Sequence, residues 1–249
     1  MSIQMTIQMT IQMTIQSQMS NLLYLFIKMD YTAEFASNKI VIINDFIDPN
    51  QAENIYHFLS LKPPNMWTST TCFDNVKADI PTTTSKKEQI QKNIKKATKA
   101  FNNNKFAFSF ERTLNDHPFQ CRCVECYTKY LFKTPATLDK IRQITNMDIT
   151  QAHDIFISKY SYGNFLSVHS DRNNGRVAFI LNLSKDWKPE YGGLLHILDN
   201  KRENVIRTIV PHFNTLTLFY IPPEIGIPHF VSHLNIKNKN RFAITGWFS

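Results

Sequence analysis

The sequence predicts an α+β fold: a jelly-roll barrel with supporting helices placed N-terminal to it. Three observations lead there. All six glycines lie after residue 160. From about the same point, short apolar stretches recur at 153–160, 176–183, 193–198, 205–210, 215–221, 229–234 and 241–248, separated by Gly, Pro and Asn turns. Even spacing of short strands with such turns is the mark of a sandwich or barrel. Ahead of them, apolar residues fall at helical rather than alternating intervals.

The elements follow in order. Residues 2–17 repeat SIQM, TIQM, TIQM, TIQS with a period of four, a low-complexity pattern that fits neither a strand nor a solenoid repeat. Residues 1–35 are read as a disordered tail dispensable for chemistry, Met29 as a candidate start, and 36–249 as one domain whose barrel core is about 153–249. KIVII at 39–43 reads as a buried strand. Asp48-Pro49 is a helix start, and apolar residues at 52, 55, 58, 59 and 61 give the helix one face, which Pro63-Pro64 ends. Residues 65–84 read as polar turns. Residues 85–100 read as a second helix, with Lys92, Lys95, Lys96 and Lys99 along one side as a solvated stripe.

Composition narrows the function classes. The chain has 249 residues, is 43% hydrophobic and can bury a sizeable core. Four cysteines exclude a disulfide scaffold and fit a reducing compartment. The longest apolar run, 22–27, is far below the roughly 20 residues of a membrane span, and no signal-peptide pattern precedes it. These features point to the cytoplasm or nucleus, with no membrane partner. Of the 28 basic residues 20 are Lys, in a chain rich in Asn and Ile. An AT-rich coding sequence produces the same bias, so the net charge of +8 does not by itself indicate nucleic acid.

The chemistry gathers in the C-terminal half. His169 and Asp171 are two residues apart, so in extended chain they share a face. A second histidine from a distant strand completes a two-His, one-carboxylate set, which suits non-haem Fe(II) with open coordination positions. His229, in the segment GIPH, is the candidate; His233 is its rival. The last strand, RFAITGWF, places Arg241, Ala243, Thr245 and Trp247 on one face. An arginine on an apolar strand is costly unless paired. A dicarboxylate that chelates the metal would pair with it bidentately, with Thr245 as a second donor.

These segments together resemble the Fe(II)- and 2-oxoglutarate-dependent dioxygenases, specifically the prolyl hydroxylase group. The resemblance runs colinearly through SKYSYGNFLSVHSD (158–171), GRVAFILNLSKDW (175–187), YGGLLHI (191–197), VPHFNTLTLF (210–219), IPHFVSHL (227–234) and RFAITGWF (241–248). It is nearest the cytosolic and nuclear branch, which includes the oxygen-sensing and ribosomal-protein prolyl hydroxylases. It implies a double-stranded β-helix, iron ligands at His169, Asp171 and His229, and Arg241 for the far carboxylate of 2-oxoglutarate. Tyr160 and Thr245 fall on positions that contact the co-substrate. Asn182 stands where the family often has a co-substrate-facing tyrosine. The interval from His229 to Arg241 is slightly long, so the hairpin between them is expected to carry a longer turn at 235–240. His196 is expected to face inward as a packing or substrate residue, and Trp187 and Trp247 to be core. Cys121, Cys123 and Cys126 match no standard zinc spacing, with Cys72 or His117 as a possible fourth ligand.

The activity so implied is hydroxylation of a protein or peptide side chain, prolyl first, consuming O2 and 2-oxoglutarate and releasing succinate and CO2, with ascorbate keeping the iron reduced. Two alternatives remain: an oxygenase acting on nucleic acid or a small molecule, and a non-catalytic binding barrel. Arg241 is the last arginine of the chain, whereas the nucleic-acid demethylase pattern carries a second after its co-substrate arginine.

Overall fold

A computed structural model describes residues 31–113 and 123–249. The repeat at 2–17, Met29, His117 and Cys121 lie outside the described residues. Helix α1 (31–38) leads into strand β1 (Ile40–Ile43) and helix α2 (Pro49–Leu61). Asp48 caps α2 by accepting a hydrogen bond from the Gln51 N–H at 3.1 Å, with Pro49 in the first turn, as the Asp-Pro pair forecast. Phe35 is 1% exposed and sits in the main core. The folded chain therefore includes α1, and the expected boundary at 35/36 falls inside a helix.

Residues 65–84 are not a run of turns. They form a hairpin, β2 (Thr68–Phe73) and β3 (Val76–Pro81), around Asp74 and Asn75, both at positive φ. Two left-handed residues are what a two-residue hairpin turn requires. β2 hides from periodicity because TSTTCF has no apolar alternation, yet it is buried between β3 and β4 (Phe108–Arg112) under helix α3 (Lys87–Asn102). Helices α4 (Val124–Tyr130) and α5 (Pro135–Thr145) were also not foreseen. α5 carries the expected punctuation: Thr134 as N-cap, Pro135 next, and left-handed Asn146 closing it.

The barrel strands β5 (Ala152–Tyr160), β7 (Val177–Asn182), β8 (Leu195–Leu198), β9 (Val205–Ile209), β10 (Thr215–Tyr220), β11 (His229–Val231) and β12 (Arg241–Phe248) lie where the turns placed them, and β6 (Phe165–His169) joins them. One face of the roll is β1-β10-β7-β12-β5 and the other β6-β11-β8-β9, with β4 bridging β5 to β6. β11 and β12 lie on opposite faces and do not pair. The expected hairpin between His229 and Arg241 is a crossover between sheets, which is why its spacing is long.

β7 shows how the sheet is sandwiched. All six of its residues are buried. Val177, Phe179 and Leu181 face a core shared with Leu59, Phe132 and Ile141 from the helices. Ala178 and Ile180 face the barrel interior with Tyr160, Ile197, Phe219 and Ala243. The helices thus seal the outer side of one sheet, and the inner side is left for the site.

A buried ion pair ties the helices together. Lys62 Nζ meets Glu125 Oε2 at 2.8 Å, each side chain 2% exposed, and Lys129 reaches Glu125 at 3.1 Å. Burial alone would raise the Glu125 carboxyl; the two ammonium groups hold it low. Removing one partner of such a pair costs about 3–5 kcal/mol, whereas apolar replacement of both is often neutral. Urea unfolding is expected to show a loss of that size in Glu125→Ala and recovery of most of it in Lys62→Met/Glu125→Leu.

Candidate active site

β6 and β11 are neighbours, and His169 pairs directly with His229 across them. Their ring centres lie 4.1 Å apart. His169 Nδ1 donates to the Ser167 carbonyl at 3.0 Å, and His229 Nδ1 to the Ile227 carbonyl at 2.8 Å. A carbonyl can only accept, so both Nδ1 atoms carry protons and both Nε2 atoms turn to the same point. There Asp171, just beyond the end of β6, presents its two oxygens: Oδ1 is 3.5 Å from His169 Nε2, and Oδ2 is 3.6 Å from His229 Nε2. The three ligand atoms lie within 4.8 Å of one another. Gly226 allows this approach. It has φ +65, and a Cβ there would lie 2.7 Å from that of Ser170, the residue between His169 and Asp171.

The electrostatics fit a divalent cation. Burial drives the His229 pKa down to about 4, with His169 adding to the effect, so its imidazole is a neutral donor. Burial alone would raise Asp171. The two imidazoles that face it, His169 first, outweigh that penalty and hold the carboxyl below its usual range. The indole N–H of Trp247 also favours the Asp171 anion, without reaching hydrogen-bond distance. Two imidazole Nε2 atoms and one carboxylate on one side of an open cavity match the facial set that non-haem Fe(II) accepts. Among the described residues no other group of His, Cys, Asp and Glu could hold a metal.

The same cavity, about 320 Å³, contains Arg241. This residue is 3% exposed. No carboxylate pairs with it among the described residues, and its Nε has no partner. Its Nη2 donates to Asn182 Oδ1 at 3.3 Å, and its guanidinium lies 5.2 Å from the centre of the Tyr160 ring, its cross-strand neighbour. Gly193 makes room beside it, since a Cβ there would sit 3.3 Å from Arg241 Cδ. Burial lowers the pKa of the guanidinium; the Tyr160 phenol opposes that shift and is itself pushed up to about 12. A buried cation without a counter-charge is expensive. A ligand carboxylate would supply what is missing.

Tyr160 and Thr245 line the cavity as expected. Asn182 does not. It sits behind Arg241 and donates to Thr215 Oγ1 at 3.4 Å, so it orients the guanidinium instead of presenting its amide to the cavity. His233 is no ligand: it stacks on Phe165 at 4.4 Å. His196 faces away from the interior, stacked on Phe230 and bonded to Thr208, because Leu195 and Ile197 take the inward positions of β8. Trp187 is core, its indole N–H donating to the Gly192 carbonyl. Trp247 packs against the inner core and also lines the cavity. Sequence reasoning also missed the aromatic wall of Phe106, Phe108 and Phe110, which with Phe156 lines the cavity from Phe106 beside His169 to Phe110 stacked on Tyr160. Their spacing of two, ending in Arg112, was the available signal.

The comparisons with known proteins agree with this geometry. Residues 155–249 match the model of the 2OG-Fe(II) oxygenase superfamily. Over 113 residues the chain is 33% identical to prolyl 3-hydroxylase OGFOD1 of Xenopus laevis, a match covering 43% of this chain and 22% of that protein. The chain spans about a fifth of the length of the curated relatives it matches. A Pseudomonas putida prolyl-4-hydroxylase shares the fold with a TM-score of 0.54 at 15% identity, over 88% of this chain and 96% of that one. An oxidoreductase of the 2OG-Fe(II) oxygenase family from Burkholderia pseudomallei shares it with a TM-score of 0.57 at 12% identity, over 89% and 90%.

Two outcomes test the site. Mn²⁺ added to chelator-treated protein should raise its melting temperature, by about 2.7 kcal/mol of stability at a hundred times Kd. Asp171→Ala should lose that shift and His233→Ala should keep it. In metal-free protein the buried neutral His229 has a folded pKa below its unfolded value near 6.5. Its contribution is present above that pH and is lost as pH falls from about 6.5 to 4, about 3 kcal/mol in all. His229→Gln should flatten the stability profile in that window.

Proposed function

We propose that the protein is an Fe(II)- and 2-oxoglutarate-dependent dioxygenase that hydroxylates a prolyl side chain of a protein substrate, releasing succinate and CO2. The observation that carries this reading is one cavity holding both the His169–Asp171–His229 set and a buried guanidinium without a counter-charge. Bound at the three ligands, Fe(II) together with 2-oxoglutarate supplies the power to put one atom of O2 into an unactivated C–H bond, the other going to succinate.

The chain's own residues do the rest. Arg241 binds the distal carboxylate, Asn182 and Tyr160 fix the guanidinium, and Thr245 offers a hydroxyl beside it. The Ser167 and Ile227 carbonyls hold the imidazole tautomers. Phe106, Phe108, Phe110 and Phe156 exclude water and favour an apolar ring, which supports proline as the target. The similarity to OGFOD1 supports the same choice. Ascorbate as reductant, O2 as the second co-substrate, and action in the cytoplasm or nucleus belong to this reading. No helix among the described residues is long and apolar enough to cross a membrane.

The test is mass spectrometry of a peptide-resolved proteome after incubation with purified protein, Fe(II) and 2-oxoglutarate, together with succinate measurement. Oxygen added at proline supports the proposal; succinate formation with oxygen placed only on nucleic acid or on other side chains overturns the substrate assignment. His169→Ala and Asp171→Ala should abolish succinate formation. Arg241→Ala should raise the 2-oxoglutarate KM by roughly a hundredfold, the value of a charge-assisted pair of about 3 kcal/mol, with a smaller effect on kcat.

A further inference from the structure

The structure changes the meaning of the lysine stripe. α3 carries Lys87, Lys92, Lys95, Lys96 and Lys99 against a single acid, Glu88, and so holds half of the chain's formal net charge of +8. Composition alone gave no reason to expect such concentration. All five lysines are exposed, as is Lys86 just before the helix. Among the described residues none of these six has a carboxylate partner. Lys96 lies over the Phe73 ring, 5.1 Å from its centre, which fixes its direction. Lys92, Lys95, Lys96 and Lys99 follow the i, i+3, i+4, i+7 rule and form one row. From Lys92 to Lys99 the row runs about 10 Å at 1.5 Å per residue.

The opposite side of α3 is committed. Ile90, Ala97 and Ala100 are buried against β2 and β4. The helix therefore has no apolar face left to insert into a bilayer, which an interfacial helix requires. A row of exposed ammonium groups along one helix suits a regularly charged polymer more than a folded acidic partner. Phosphates a few ångströms apart along a backbone meet such a row without any specific side-chain contact.

The segment that follows α3 reaches the active site. β4 follows directly on α3, and Phe106, between the two, lines the cavity with its ring 6.3 Å from that of His169. We propose that the lysine face of α3 is a docking surface for a nucleic-acid phosphate backbone. The docking itself does not depend on the catalytic reading.

The test uses the full chain and a fluorescein-labelled oligouridylate of about 20 nucleotides, read by fluorescence anisotropy across a salt series. The quadruple variant Lys92→Gln/Lys95→Gln/Lys96→Gln/Lys99→Gln should weaken binding at least tenfold near 0.1 M salt. It should also reduce the slope of log K against log salt by roughly 3, since single strands contribute about 0.7 per phosphate contact. A charge-matched control, Lys133→Gln/Lys188→Gln/Lys201→Gln/Lys237→Gln, removes four exposed lysines elsewhere and should bind like the parent. Equal weakening in both variants would reduce the effect to overall charge and overturn the proposal. So would absence of RNA binding, or tighter binding to phosphatidylserine vesicles than to RNA. Succinate formation by the α3 variant should match the parent, so a failed RNA result leaves the oxygenase reading standing, and a failed succinate assay leaves the docking result standing.

Discussion

The structure depends on one register: β6 against β11, with His169 opposite His229. The two strands belong to separate sequence segments and meet only because the roll brings them side by side. Once they are paired, the carbonyls of Ser167 and Ile227 turn both imidazoles the same way, and Asp171 needs only to leave the strand in the right direction. A slip of one residue in this pairing would send a histidine to the other face of the sheet and leave the carboxylate buried among apolar side chains.

The second charge of the cavity obeys a different rule. Asp171 has the two histidines, but Arg241 has only the amide of Asn182 and the face of Tyr160. The fold therefore tolerates an unsatisfied cation, a cost that the rest of the core must offset. Protein that stores such a cost at a cavity wall gains it back when a ligand carboxylate arrives. At the Arg241 end the pocket offers a charge, whereas Phe106 and Phe108 near His169 offer only shape and polarity.

Much of this was legible because strong local signals coincide with it. Gly and Pro turns delimited β7, β8, β9, β10 and β12, and Asp48-Pro49 delimited α2. The metal set was legible as a motif in order, and the inward face of β12 by alternation. What escaped did so for physical reasons. β2 is built from Thr and Ser, whose burial comes from being covered by α3 and flanked by two strands. His196 was misdirected because a four-residue strand fixes its phase through neighbours, here Leu195 and Ile197. Asn182 lies on the inward face of β7, and only the length of Arg241 decides that it meets the guanidinium before the cavity. The crossover from β11 to β12 is a property of the roll as a whole, not of the intervening residues.

The most direct test of the central claim is the coupling between metal and co-substrate binding, measured by calorimetry of 2-oxoglutarate with and without Mn²⁺ on the same anaerobic protein. If the three ligands and Arg241 serve a single chelating dicarboxylate, it should bind at one site per chain and at least tenfold more tightly with metal present, a coupling of about 1.4 kcal/mol or more. Equal affinity with and without metal, or no binding at all, would mean that the two ends of the cavity do not act on one molecule.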